Sequence, residues 1–129
     1  MNETFEFPEG LLGFEDLREL TLTPLDLPFN ATFYELQSPR GEVGFLAIDP
    51  FKLVPEYSVH IEATIQDKLS VESSEDVILL TLVTLKQSLE TSTTNLKAPL
   101  VLNLKSKKAV QYIQQDSTLS VKHPLKGDA

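Results

Sequence analysis

Short runs of alternating apolar and polar residues, punctuated by turn residues, constrain this chain most. Thr4-Phe5-Glu6-Phe7 alternates at period two, as a half-buried strand does. Residues 32–36 (TFYEL) and 43–48 (VGFLAI) are two more such runs. Between them lies Ser38-Pro39-Arg40-Gly41, with proline second and glycine fourth, the chemistry of a type I turn. Residues 32–48 therefore read as a hairpin. Residues 77–85 are the most apolar stretch, and their β-branched content predicts a strand buried on both faces. Residues 100–104 form another strand with Pro99 just before it, where a missing N–H costs little. Residues 110–113 and 119–121 are shorter candidates. Helical spacing is rare: Ile61, Ile65 and Leu69 predict about two turns over 62–69, and residues 15–20 suit a single turn. With 129 residues, eight prolines and no repeat or linker, the pattern predicts one all-β domain over 1–129. Its short antiparallel strands would close into a small barrel or sandwich with one or two short helices.

Charge narrows the partners. The net charge of −8 disfavours direct nucleic-acid binding, which needs clustered lysine and arginine. The distribution is uneven: residues 1–76 hold 16 acids against four basic residues, whereas residues 77–129 hold three acids against seven lysines. Such asymmetry can give one acidic face that steers basic partners, and it also favours solubility. There is no cysteine, so no disulfide, thiolate metal site or cysteine nucleophile is available. The acidic N-terminal residues do not resemble a secretory signal, and no apolar run approaches a membrane span. The expectation is a cytoplasmic protein without membrane contact.

Catalytic motifs are sparse. His60 and His123 share no H-x-x-x-H spacing, and no serine sits in a G-x-S-x-G elbow. There is no phosphate-binding G-x-x-x-x-G-K-[ST] loop and no calcium-loop pattern. The acid pairs Glu15-Asp16 and Glu75-Asp76 are adjacent in sequence, so their side chains diverge, and Ser73-Ser74 before the second pair suggests a turn or cap. No enzyme, cofactor or metal is expected.

The segment FPEGLLGFEDL (residues 7–17) tests this further. Glycines after a strand can cradle a phosphate at a helix start. Here Glu9, Glu15 and Asp16 flank Gly10 and Gly13, and no cation precedes Arg18, so the local charge repels phosphate. The better expectation is a turn, with Leu11, Leu12 and Phe14 either tucked beneath the barrel or offered to a protein.

Six segments in order and spacing resemble the flagellar assembly factor family FliW. They are FPEGLLGFEDL, FYELQS (33–38), FLAIDPF (45–51), DVILLTLVTL (76–85), TTNLKAPLVLN (93–103) and VKHPL (121–125), and together they cover nearly the whole chain. Leu85-Lys86 stands where the family pattern suggests a proline, and Gln111 where a glycine is common. The resemblance implies an antiparallel β-barrel-like domain with a non-enzymatic role. It also implies two partners in the cytoplasm: flagellin, and the RNA-binding translational repressor CsrA. The two compete, so that export of flagellin frees the factor to capture the repressor and relieve repression of flagellin translation. The alternative is an export-chaperone-like module that only holds flagellin.

Candidate partner-binding residues lie on ordered loops, which on rigid scaffolds often carry function. Asp49, Pro50 and Phe51 place an aromatic after a strand, with Asp49 kept extended by the proline. Asn95, suited to a left-handed conformation, and Leu96 precede Pro99. Glu72 joins the set from the acidic region. An enzyme would instead need a cleft with convergent carboxylates, one of raised pKa. A chaperone working by strand addition would need an unpaired sheet edge, which full barrel closure would remove.

Overall fold

The computed structural model describes residues 3–116 and 118–126. Among them, nine strands form one sheet: β1 (Glu3–Glu6), β2 (Glu19–Leu25), β3 (Phe33–Gln37), β4 (Gly44–Ile48), β5 (Val77–Thr84), β6 (Thr93–Thr94), β7 (Leu100–Asn103), β8 (Lys108–Gln111) and β9 (His123–Pro124). Seven of them close a barrel in the order β4-β3-β2-β1-β8-β7-β5, with β5 pairing back onto β4, while β6 and β9 extend it. Every pairing is antiparallel except the β1–β8 seam. That seam is short, with Glu6 beside Lys108 and the Glu6 N–H donating to the Lys107 carbonyl at 2.8 Å. Side chains reinforce it: Lys107 pairs with Glu3 and lies 5.4 Å from the centre of the Phe5 ring.

Strand alternation sorts the apolar residues into an interior and two outer patches. Phe5, Leu20, Leu22, Leu36, Ala47, Leu80, Leu100 and Leu102 fill the barrel, with Phe7 and Leu11 packed in the same cluster. On one outer patch, Phe33, Ile48 and Leu125 are covered by residues of the 25–31 segment. On the other, the single α-helix among the described residues, α1 (Ala63–Lys68), lies over Val101 and Val110 through Ile61, Ile65 and Leu69. This is the helix that the spacing of those three residues predicts. Asn103, 1% exposed, ties its end to β7: its amide donates to the Leu69 carbonyl at 2.9 Å and the Ser70 carbonyl at 3.2 Å.

Several local expectations hold. The Gly41 N–H donates to the Ser38 carbonyl at 2.9 Å, closing the turn between β3 and β4. Ser73 accepts from the Glu75 N–H and caps a 3₁₀ turn over Ser74–Asp76, ahead of β5. Others need correction. Residues 19–20 are strand, not helix, because Leu20 and Leu22 alternate into the barrel. Pro24 stands inside β2, opposite Tyr34 of β3. Residues 119–121 form no strand, and Val121 is half exposed. The strand expected over 110–113 is shifted to Lys108–Gln111. β5 is fully buried only at Leu80 and Thr81, not along both faces.

Candidate functional site

The segment FPEGLLGFEDL forms a tight turn rather than a phosphate cradle. Leu11 and Phe14 bond reciprocally through their backbones, at 3.1 and 2.8 Å. Gly13, third in the turn, takes a φ of +82°, the value a type II turn requires. The turn's amides are already occupied: the Leu12 N–H donates to Gln111 at 2.9 Å and the Gly13 N–H to the Glu15 carboxylate at 3.0 Å. Leu11 is buried, whereas Leu12 and Phe14 are about half exposed, Phe14 lying edge-on to Phe45 with ring centres 5.2 Å apart. The segment thus splits between the two fates expected for its apolar residues.

Three of the six candidate residues gather elsewhere. A cavity of about 570 Å³ opens where β4 parts from β5, and Asp49, Phe51 and Glu72 all line it. Its other walls come from Tyr34, residues 59–61, Gln66, residues 71–74 and the first half of β5, and include no lysine or arginine. This opening is why the first half of β5 is only partly buried.

Asp49 is extended, at φ −73° and ψ 114°, as the following proline dictates. Its carboxylate accepts from the Phe51 N–H at 2.9 Å and starts a 3₁₀ turn over Pro50–Lys52. Pro50 is buried and anchors that turn, leaving Phe51 39% exposed at the rim. Beneath it, the Phe51 ring packs on Tyr57, centre to centre 5.8 Å.

Tyr57 connects this loop to the second candidate loop. Its hydroxyl donates to the Leu96 carbonyl at 2.6 Å, and Gln114 donates to both that carbonyl, at 3.0 Å, and the hydroxyl, at 3.2 Å. Burial pushes the Tyr57 hydroxyl up to about 12, against the smaller opposing effect of the Gln114 bond. Neither Tyr57 nor Gln114 stands out in the sequence, because nothing local marks a contact spanning 57 positions.

Asn95 and Leu96 do not reach the cavity. Leu96 is buried at 4% exposure, and its side chain supports the loop. Asn95 keeps a negative φ, contrary to the left-handed expectation. Its side-chain oxygen instead accepts from the N–H groups of Lys97 and Ala98, at 3.0 and 3.2 Å. Such local side-chain bonding shapes a loop without a positive φ.

Glu72 is exposed and paired with Lys105 at 2.9 Å. The hydrogen bond and charge of that ammonium hold the Glu72 carboxyl below the usual carboxylate range. An acid catalyst would need the opposite shift. His60 also lines the cavity, whereas His123 lies in β9. Among the described residues, no three acidic or histidine side chains group to hold a metal ion, and no helix is long and apolar enough to cross a membrane.

Fold and cavity together define a small closed β-barrel with one opening in its wall, rimmed by an anchored aromatic and two carboxylates. The chain belongs to the FliW family of flagellar assembly factors, whose family model, described as FliW protein, matches residues 1–125. It is 38% identical over 122 residues to the flagellar assembly factor FliW of Clostridioides difficile strain 630, covering 93% of this chain and 92% of that protein. It is 34% identical over 124 residues to the FliW of Clostridium novyi strain NT, covering 95% and 85%. A crystal structure of the flagellar assembly factor FliW superposes with a TM-score of 0.87 at 28% identity, over 97% of this chain and 86% of that one.

Proposed function

We propose that this chain acts as one cytoplasmic domain that binds flagellin and, when free of it, binds the repressor CsrA and relieves repression of flagellin translation. One observation carries the docking reading: Asp49, Phe51 and Glu72, separated in sequence, meet at one cavity with no lysine or arginine in its lining. An exposed aromatic held in place by packing is an economical anchor for a protein partner. A repressor that grips RNA must carry basic surface, and carboxylates draw such a surface in while repelling RNA. The 16 acids among the first 76 residues extend the same field.

The test uses the purified chain with flagellin and the repressor from the same organism. Each is expected to bind, and flagellin to displace the repressor. Repressor affinity should fall about tenfold between roughly 50 and 500 mM salt, as screened charges require. Binding of neither protein sinks the proposal, and salt-independent affinity sinks its electrostatic part. Capture of flagellin alone would favour the export-chaperone alternative.

A further inference from the structure

β4 accompanies β5 only from Thr81 to Val83, whereas β7 pairs with β5 from Leu80 back to Val77. Among the described residues, the edge of β5 over Val77–Leu80 that faces away from β7 therefore has no neighbouring strand, and it lies in the cavity wall.

Successive residues of a strand direct their backbone groups to opposite edges. The Asp76 carbonyl accepts from the Leu104 N–H at 2.8 Å, and the Leu82 carbonyl from the Asn95 N–H at 3.1 Å, both on the β7 side. By alternation Ile78 and Leu80 also face β7, and Val77 and Leu79 face the gap. The Val77 N–H is taken by the Ser74 carbonyl. That leaves the Val77 carbonyl and both backbone groups of Leu79 at an edge without a strand partner among the described residues.

We propose that this edge receives one extended segment of another protein, adding as a strand in line with β4. The segment carries apolar residues at alternate positions and a basic residue beside them. An unpaired strand edge is completed by backbone groups free to pair, which an extended segment offers and a helix, having satisfied its own, does not. The apolar side chains of Phe51 and Ile61 flank the space such a strand would fill. Asp49 supplies the charge that a lysine or arginine would meet, Glu72 being already paired with Lys105. The Asp49 carboxylate also disfavours a second copy of this chain, whose matching edge would bring like charges together. The inference rests on the proposed function only in taking this cavity as the docking site.

The test is selection of random displayed peptides of about nine residues, a generous strand length, against the full chain. Enriched peptides should alternate apolar residues and carry lysine or arginine. In their presence the Leu79 amide should exchange about tenfold more slowly. N-methylating the peptide backbone along the pairing edge should weaken binding about tenfold without touching the protein. Phe51→Ala should weaken it several-fold. Failure to enrich any peptide, helical or acidic binders, protection elsewhere, or full binding by the N-methylated peptide would each overturn the inference. Flagellin and repressor binding with Leu79 exchange unchanged would overturn it and leave the proposed function standing. Enrichment of extended basic peptides with neither protein bound would do the reverse.

Discussion

Tyr57→Phe isolates the bond that joins the two loops. The substitution keeps the ring beneath Phe51 and deletes only the hydroxyl. Two hydrogen bonds go with it, the donation to Leu96 at 2.6 Å and the acceptance from Gln114 at 3.2 Å. The Leu96 carbonyl is not orphaned, because Gln114 still donates to it at 3.0 Å. At about 1 kcal/mol per net hydrogen bond, the variant should lose about 1–2 kcal/mol near pH 8. With a urea slope of about 2 kcal/mol per molar, its midpoint should fall by about 0.5–1 M. Alkali adds a signature that a packing defect would lack. The wild-type phenol, raised to about 12 when folded, ionises near 10 once unfolded. Its stabilising effect is thus complete below pH 10 and is lost as pH rises from there through 12. At pH 11 that loss is about 1 kcal/mol, and the phenylalanine variant does not share it. Every pH effect that the two proteins share cancels in the difference. The gap between the two midpoints should therefore narrow markedly from pH 8 to pH 11. Equal midpoints at pH 8, or a gap that stays constant, would refute the role given to the hydroxyl.

Gly10→Ala should destabilise by about 2–3 kcal/mol in thermal unfolding, because Gly10 sits at φ +66° and an added Cβ would lie 2.5 Å from the Glu15 carbonyl oxygen. Gly13→Ala, at φ +82° but facing open space, should cost only about 1 kcal/mol in the same assay. Asn103→Ala should cost about 2–4 kcal/mol by urea titration, since it removes a buried amide bonded to the Leu69 and Ser70 carbonyls. Phe51→Ala should weaken partner binding with a near-native melting curve, whereas Asn95→Ala should first lower stability by about 1 kcal/mol through its lost bonds to Lys97 and Ala98.

What could be read from the sequence was local. Period-two runs located β1, β3 and β4, and an i, i+4 apolar row located α1, because burying one face imposes its period directly on the residues, whereas β5 showed as a continuous apolar, β-branched stretch and β7 as the run after Pro99. β2 shows the same period at Leu20 and Leu22, but Pro24 and the acids before it obscure the run. β6 and β9 hold two residues each, too few to show any period. Asp49 and Phe51 could be picked as loop residues because proline fixes the backbone ahead of it. That Glu72 shares a cavity with them could not, since its position depends on how α1 packs over β7 and β8. Asn95 shows the limit of residue-type rules, because its tolerance of a left-handed backbone and its skill at bonding nearby amides are both real. The local bonds decided its role here.

Closure and openness in this barrel share a cause. β5 is eight residues long, whereas β4 and β7 are five and four. β7 takes the first half of β5, while β6 on the same side and β4 on the other take positions from Thr81 onward. β4 cannot follow further, because Pro50, the next position that would face β5, has no N–H to offer and turns the chain into the 3₁₀ turn. The sequence Asp49-Pro50-Phe51 therefore does two things at once. It ends β4 early enough to leave an edge of β5 uncovered, and it sets an aromatic at the rim of the resulting gap. Replacing Pro50 with a residue that can continue a strand, such as Pro50→Val, should let β4 extend along β5. The gap would close and the Leu79 amide would become protected without any partner. Unchanged Leu79 exchange in a folded Pro50→Val chain would show that the opening is held by something other than this turn.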